Sequence, residues 1–162
     1  MKRTLIIIFL LAGVRTVSAQ NHINITGTYR LVSVDNIDKA GNRTHLYGDN
    51  PQGLLIFDEK GNYTLQIMSA GRPNFATADK SKGTVDENRA AVKGCNTHFG
   101  TYAIDEAVKT ITFNIATASF PNWEGTQQKR PFTLNDGIFK YVVPAPTTGN
   151  GVTGEVVWKR ME

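Results

Sequence analysis

The chain has 162 residues, 18 Lys and Arg against 14 Asp and Glu, and one cysteine. Lys2, Arg3 and Arg15 precede residue 20 and no acid does, so the remainder carries 15 bases minus 14 acids, or +1. Near-neutrality removes the basic surface that nucleic acid or an anionic membrane would need, and a lone Cys95 excludes an intrachain disulfide.

The first segment has the parts of a secretory signal. Lys2 and Arg3 head a short apolar run, Leu5 to Ala12, and Val17-Ser18-Ala19 offers small residues for cleavage before Gln20. The run is far shorter than the ~20 residues of a membrane span, and no Cys follows it for lipid attachment. We expect a signal peptide over 1–19, with an uncleaved anchor as the alternative. The mature protein is then secreted or periplasmic, without a membrane span. It forms one domain over 20–162, expected to be a monomer and long enough to bury about two thirds of its unfolded surface.

Period-two patterning follows. "ITGTYRLVSVDNI" sets Tyr29, Leu31 and Ser33 against Arg30, Val32 and Val34. "GLLIFDEKGNYTLQIM" is two apolar runs around Asp58-Glu59-Lys60-Gly61-Asn62, a hairpin in which Gly61 takes positive φ. "KTITFNIATA" places Ile111, Phe113 and Ile115 on one face and Thr110, Thr112 and Asn114 on the other. "IFKYVV" and "GEVVWKR" are the closing strands. Short strands at close intervals predict an all-β sandwich or barrel.

One stretch breaks the pattern. Thr84-Val85-Asp86-Glu87 reads as a capping box, and Ala90 to Lys93 continue a helix of about three turns across the barrel, with Ala91, Cys95 and Phe99 on one side. The aperiodic segment 69–83 before it is a long loop of the kind that forms lids or binding segments. A second Pro/Gly-rich connection runs over 143–154.

The order of these motifs resembles the lipocalin-like domain family of the calycin barrels. It is carried by "GTYRLVS" (27–33), "PQGLLIFDEKGNYTLQI" (51–67), "HFGTYAID" (98–105), "FPNWEGTQQKRPF" (120–132) and "VVWKR" (156–160). Two positions depart from it: Gly27-Thr28-Tyr29 stands for the usual Gly-x-Trp, and Thr112-Phe113-Asn114 lacks the His often found in that strand. The resemblance implies an antiparallel β-barrel with one open mouth. It also implies that Tyr29 packs under Arg160, by a cation–π contact and a guanidinium fork on backbone carbonyls.

Tyr63, Gln66, Tyr102, Asn114 and Tyr141 are polar or amphipathic residues on otherwise apolar strands. Converging on a cavity they would orient a small ligand; alternatively the tyrosines turn outward or bond one another, and parity alone does not say which face is inside. Trp123 in the "PNWEG" turn roofs the mouth. Arg130 either pairs with Glu124, the reading the nearby acid favours, or reaches a ligand carboxylate. Trp158 fills core. Cys95 is read as a small hydrophobe on the helix, with Cys95–His98 a formal nucleophile–base pair. His22, His45 and His98 are scattered and none stands at zinc-ligand spacing from Cys95, so no metal or cofactor is expected.

The leading functional reading is a barrel that binds a small hydrophobic or amphipathic molecule, which requires a pocket of ~300 Å³ or more. The alternatives are an isomerase- or cyclase-type enzyme, with acid chemistry from a tyrosine and Arg130 on a developing anion, and an interaction module with a filled barrel. No catalytic constellation stands out.

Overall fold

The alternating segments become strands in the computed structural model, which describes residues 23–147 and 153–162. The candidate signal, 1–19, lies outside the described residues, as do residues 148–152 of the last connection. Among the described residues there are nine strands: β1 (Gly27–Ile37), β2 (Arg43–His45), β3 (Gln52–Phe57), β4 (Asn62–Met68), β5 (Cys95–Asp105), β6 (Thr110–Ala118), β7 (Gln127–Asn135), β8 (Ile138–Val143) and β9 (Thr153–Arg160). They form an antiparallel meander, and β9 returns to pair with β1 from Tyr29↔Arg160 to Ile37↔Thr153. β1 and β3 to β9 thus close an eight-strand barrel, while β2 prolongs one edge beside Asp35 to Ile37. Closure pairs the edges an open sheet would expose.

Two turns share one mechanism. In Asp58–Asn62 the Asp58 carboxylate accepts from the backbone N–H of Lys60 and Asn62 and from the Asn62 amide, with Gly61 at φ 83°. Asp38–Asn42 repeats it, with Gly41 at φ 87°. Both φ values lie where only glycine sits without strain.

β1 departs from strict alternation. Leu31 pairs with Trp158 but Ser33 pairs with Val157, leaving Val32 as a bulge. One extra residue reverses parity, so Val34 and Asn36 join Tyr29 and Leu31 as buried residues, while Arg30 and Val32 stay exposed. The period-two reading of "RLVSV" therefore holds only up to the bulge.

The lower barrel is filled with rings. Phe57 packs on Tyr102 at 4.7 Å, Phe139 at 5.5 Å, Tyr29 at 6.1 Å and Phe113 at 6.2 Å between centroids. Trp158, at 0 % exposure, belongs to the same core. Arg160 closes this end. Its guanidinium donates to the carbonyls of Asn24 and Thr26 at 2.8 and 3.0 Å and lies 5.1 Å from the Tyr29 ring centroid. The Tyr29 hydroxyl takes a further bond from it at 2.6 Å and donates to Ile25 O.

The helix departs from expectation. Helix α1 spans Val85–Lys93, with the Thr84–Glu87 capping box formed. It stops at Gly94, and Cys95 opens β5 instead of continuing it. No α1 residue is buried, and Val85 and Val92 are exposed. Its anchoring is polar: Glu87 accepts from the N–H of Ala76 and Thr84, and Ser69 N–H donates to Gly94 O. The helix is an external insertion between β4 and β5.

Candidate functional site

The upper barrel keeps a cavity of about 100 Å³. β1 and β4 to β9 bring to it inward residues of two kinds. The walls are apolar, from Val34, Ile67, Phe113, Val143 and Val156. The polar groups include His98, Gln128, Arg130, Tyr141, Asn96, Asn36 and the carboxylate of Asp35. Trp123, Leu46, Tyr47 and the segment Ala145–Thr147 also line it. The volume is a third of the ~300 Å³ at which small-molecule sites usually begin. By the measure in which one water takes ~10–15 Å³, it holds on the order of seven to ten non-hydrogen atoms.

The "SFPNWEG" turn is built to cover this space. Pro121–Trp123 forms a single 3-10 turn after Phe120. Gly125, at φ 71°, lets its own N–H donate to Ile115 O and brings Thr126 O to the Ile115 N–H. The Trp123 ring then stands edge-on over His98, 6.0 Å between centroids, and Phe120 packs against Trp123 at 5.5 Å.

His98 is buried on the inward face of β5 and shares a hydrogen bond between Nδ1 and the Tyr63 hydroxyl at 2.7 Å. Burial, then the charge of Arg130, pulls its pKa down to about 4, so the imidazole is neutral at pH 7. Arg130 enters from β7, level with Ile111 in the β6 pairing. It donates to Gln128 Oε1 at 2.7 Å and to the Lys129 carbonyl at 3.2 Å. Among the described residues no acid lies within ion-pair distance of it. Burial lowers its pKa, opposed by the neighbouring Tyr141. Burial likewise raises the Tyr141 hydroxyl, and Arg130 pulls it back. Asn96 keeps a buried Oδ1 without a protein partner, an acceptor open to a ligand or water donor.

Of the residues singled out by sequence, the structure brings Trp123, Arg130 and Tyr141 to the cavity. Tyr63 reaches it only through His98. Tyr102 turns toward the closed end and donates to Asp58 O at 2.9 Å. Gln66 and Asn114 face out: their neighbours Leu65, Ile67, Phe113 and Ile115 fill the interior, and alternation sends the intervening residues outward. Asn114 bonds Thr101 and Gln127 on the outer face. Of Tyr63, Tyr102 and Tyr141 only Tyr141 lines the cavity with Arg130, which weakens the enzyme reading as drawn from those residues.

The Glu124–Arg130 pair does not form. Glu124 Oε1 instead accepts from Ala118 N–H inside its own turn. Cys95 and His98 are not on one helix face, because both lie on β5, where an odd spacing puts them on opposite sides. Cys95 is half-buried. The loop 69–83 lines no part of the cavity, and residues 145–147 take the place expected of it.

Gln128 is a cavity residue that sequence reasoning passes over, and His98 is weighed there only as a base or co-ligand for Cys95. The available signal is register: His98 is two and four residues from Asn96 and Tyr102, and Gln128 two from Arg130. Among the described residues no group of His, Cys, Asp and Glu is arranged to hold a metal ion. No helix among them is long and apolar enough to cross a membrane.

A family model described as a lipocalin-like domain matches residues 26–161. No curated protein matches the sequence.

Proposed function

The chain belongs to the lipocalin-like domain family, and on that premise we propose that it is an exported barrel that binds a small amphipathic molecule at its mouth. The observation that carries this reading is the division of the interior. The lower half is packed with aromatic rings, whereas the upper half holds a cavity with apolar walls and a small set of polar groups aimed into it. That composition suits a ligand with one polar head and a short apolar body. The cavity, at about 100 Å³, does not meet the ~300 Å³ expected of a small-molecule site, so the reading is cut back to a much smaller ligand. A large hydrophobic ligand does not fit about 100 Å³, so a longer molecule would project past Trp123 and Pro146. Export, to the periplasm or the medium, rests on the Lys2-Arg3, Leu5–Ala12 and Val17–Ala19 pattern.

Native mass spectrometry of the protein recovered from the exported fraction tests both halves. The expected species begins at Gln20 and carries a dissociable small molecule. Six-carbon probes (hexanoate, hexan-1-ol and hexylamine) extend the test by calorimetry. The binding reading fails if no adduct is seen and none of the probes binds at millimolar concentration.

A further inference from the structure

Resting on that binding reading, we propose that the ligand is an organic monocarboxylate whose carboxylate sits on the Arg130 guanidinium. The argument starts from an unmatched charge. Arg130 points into the barrel with two donated bonds, one to a neutral amide and one to a carbonyl. A guanidinium has five N–H donors in a planar fork that matches a carboxylate. The acids nearby are committed elsewhere. Asp35 holds Arg43 and His45 at 3.1 and 2.6 Å, and Glu155 holds Arg43 and Lys140 at 2.7 and 3.2 Å. A partly desolvated cation without a counter-ion is costly, and a bound anion removes that cost.

The charge of the site selects a monoanion. Arg130 is the one Lys or Arg that lines the cavity among the described residues; His98 is neutral there, and the Asp35 carboxylate that also lines it is already held by Arg43 and His45. A phosphate monoester near two charges would be left half unpaired. His98 and Tyr141 complete the head site as neutral hydrogen-bonding groups. With the Tyr63 hydroxyl donating to Nδ1, the His98 Nε2 carries the ring proton and is free to donate.

The size and walls set the body. Of the seven to ten atoms admitted, a carboxylate uses three, leaving on the order of four to seven carbons against Val34, Ile67, Phe113 and Val156. Each added methylene should then tighten binding about fourfold until the cavity is full.

Titration of the mature chain with hexanoate, hexan-1-ol, hexylamine and hexyl phosphate at pH 7 is the test. Hexanoate is expected to bind at least ~10-fold more tightly than hexan-1-ol, the usual effect of a charge-assisted hydrogen bond. Butanoate, hexanoate and octanoate should show the rise and then the plateau. Arg130→Gln should bring hexanoate down to the level of the alcohol, and Arg130→Lys, which keeps charge but loses the fork, should fall between. Equal binding of hexanoate and hexan-1-ol by the unmodified protein overturns the carboxylate assignment and leaves the amphipathic reading standing. So does hexyl phosphate binding more tightly than hexanoate. Absence of binding by all of the probes overturns both. The selectivity of the unmodified protein decides the matter even if the variants do not fold.

Discussion

Acid should destabilise this protein well before its carboxylates titrate, and His98 is the reason. The native imidazole stays neutral down to about pH 4, held there by burial and by Arg130. In the unfolded chain it takes a proton near its ordinary value of 6.5. Between those limits the unfolded state binds more protons than the native state, so stability falls as pH falls. A shift from 6.5 to about 4, at ~1.4 kcal/mol per unit, amounts to about 3.5 kcal/mol in full, of which about 3 kcal/mol is lost by pH 4. That is a large share of the ~5–15 kcal/mol typical of a domain.

The carboxylates with lowered values titrate below this window. Asp38, Asp58, Asp79 and Glu87 are held below their ordinary values by hydrogen bonds from Asn42, Asn62, Ser81 and the Thr84 backbone respectively. Their losses begin only as pH passes below the carboxylate range of ~4–4.5. Guanidinium chloride unfolding between pH 7 and pH 4 measures the effect. The unmodified protein should lose about 3 kcal/mol, and His98→Gln, which keeps a hydrogen-bonding partner for Tyr63, should lose less than ~1 kcal/mol over the same range. An unmodified protein that is as stable at pH 4.5 as at pH 7, or a variant with the same slope, refutes the reasoning.

Removing the clamp at the closed end with Arg160→Met deletes two carbonyl bonds, the bond to the Tyr29 hydroxyl and the cation–π contact. The expected loss is ~2–4 kcal/mol in chemical unfolding, against less than ~0.5 kcal/mol for exposed Arg30→Met. Gly100→Ala would place Cβ 2.0 Å from Asn114 O and 2.8 Å from Ala116 N, so β5 and β6 must part; unfolding should show a cost of ~1–3 kcal/mol or more. Thr84→Ala should cost ~1 kcal/mol of local helix stability, seen as faster amide exchange over 87–93. Its global unfolding midpoint should not move, because α1 buries no residue.

The parts legible in the sequence are those where a local rule and the barrel agree. The Asp-x-x-Gly-Asn turn, the Thr84–Glu87 box and the Ile111, Phe113, Ile115 face each satisfy both. Tyr29 and Arg160 are legible because the first and last strands must meet to close a barrel. The failures come from events that no local pattern marks. The Val32 bulge moves Asn36 inward after an alternation that assigns Val34 to the outer face. Gly94 ends the helix one residue before Cys95, and the same letters read as helix hide the strand face on which Asn96 and His98 sit. Gln66 and Asn114 illustrate the opposite error. Polarity draws the eye to them, but the apolar residues on either side claim the interior.

The cavity residues also make sense of where the protein accepts energetic cost. The buried groups of the lower barrel are mostly apolar or bonded, the Trp158 Nε1 being an exception, and Arg160 itself is satisfied by three oxygens. The unfavourable groups gather above: an imidazole held neutral by burial, and a guanidinium with no acid. A scaffold selected for stability alone would fill that space with aliphatic side chains, since replacing buried charge by well-packed apolar groups is often stabilising by ~1–4 kcal/mol. Arg130→Leu in the ligand-free protein is therefore expected to raise the unfolding free energy by ~1–3 kcal/mol while abolishing the preference for carboxylates. Gln128, half-buried at the mouth, keeps access to water when its partner is removed. If Arg130→Leu instead lowers stability by more than ~1 kcal/mol, the bonds to Gln128 and the Lys129 carbonyl outweigh the desolvation. The guanidinium would then be a structural tie between neighbouring residues of β7, with no need of a ligand to explain it.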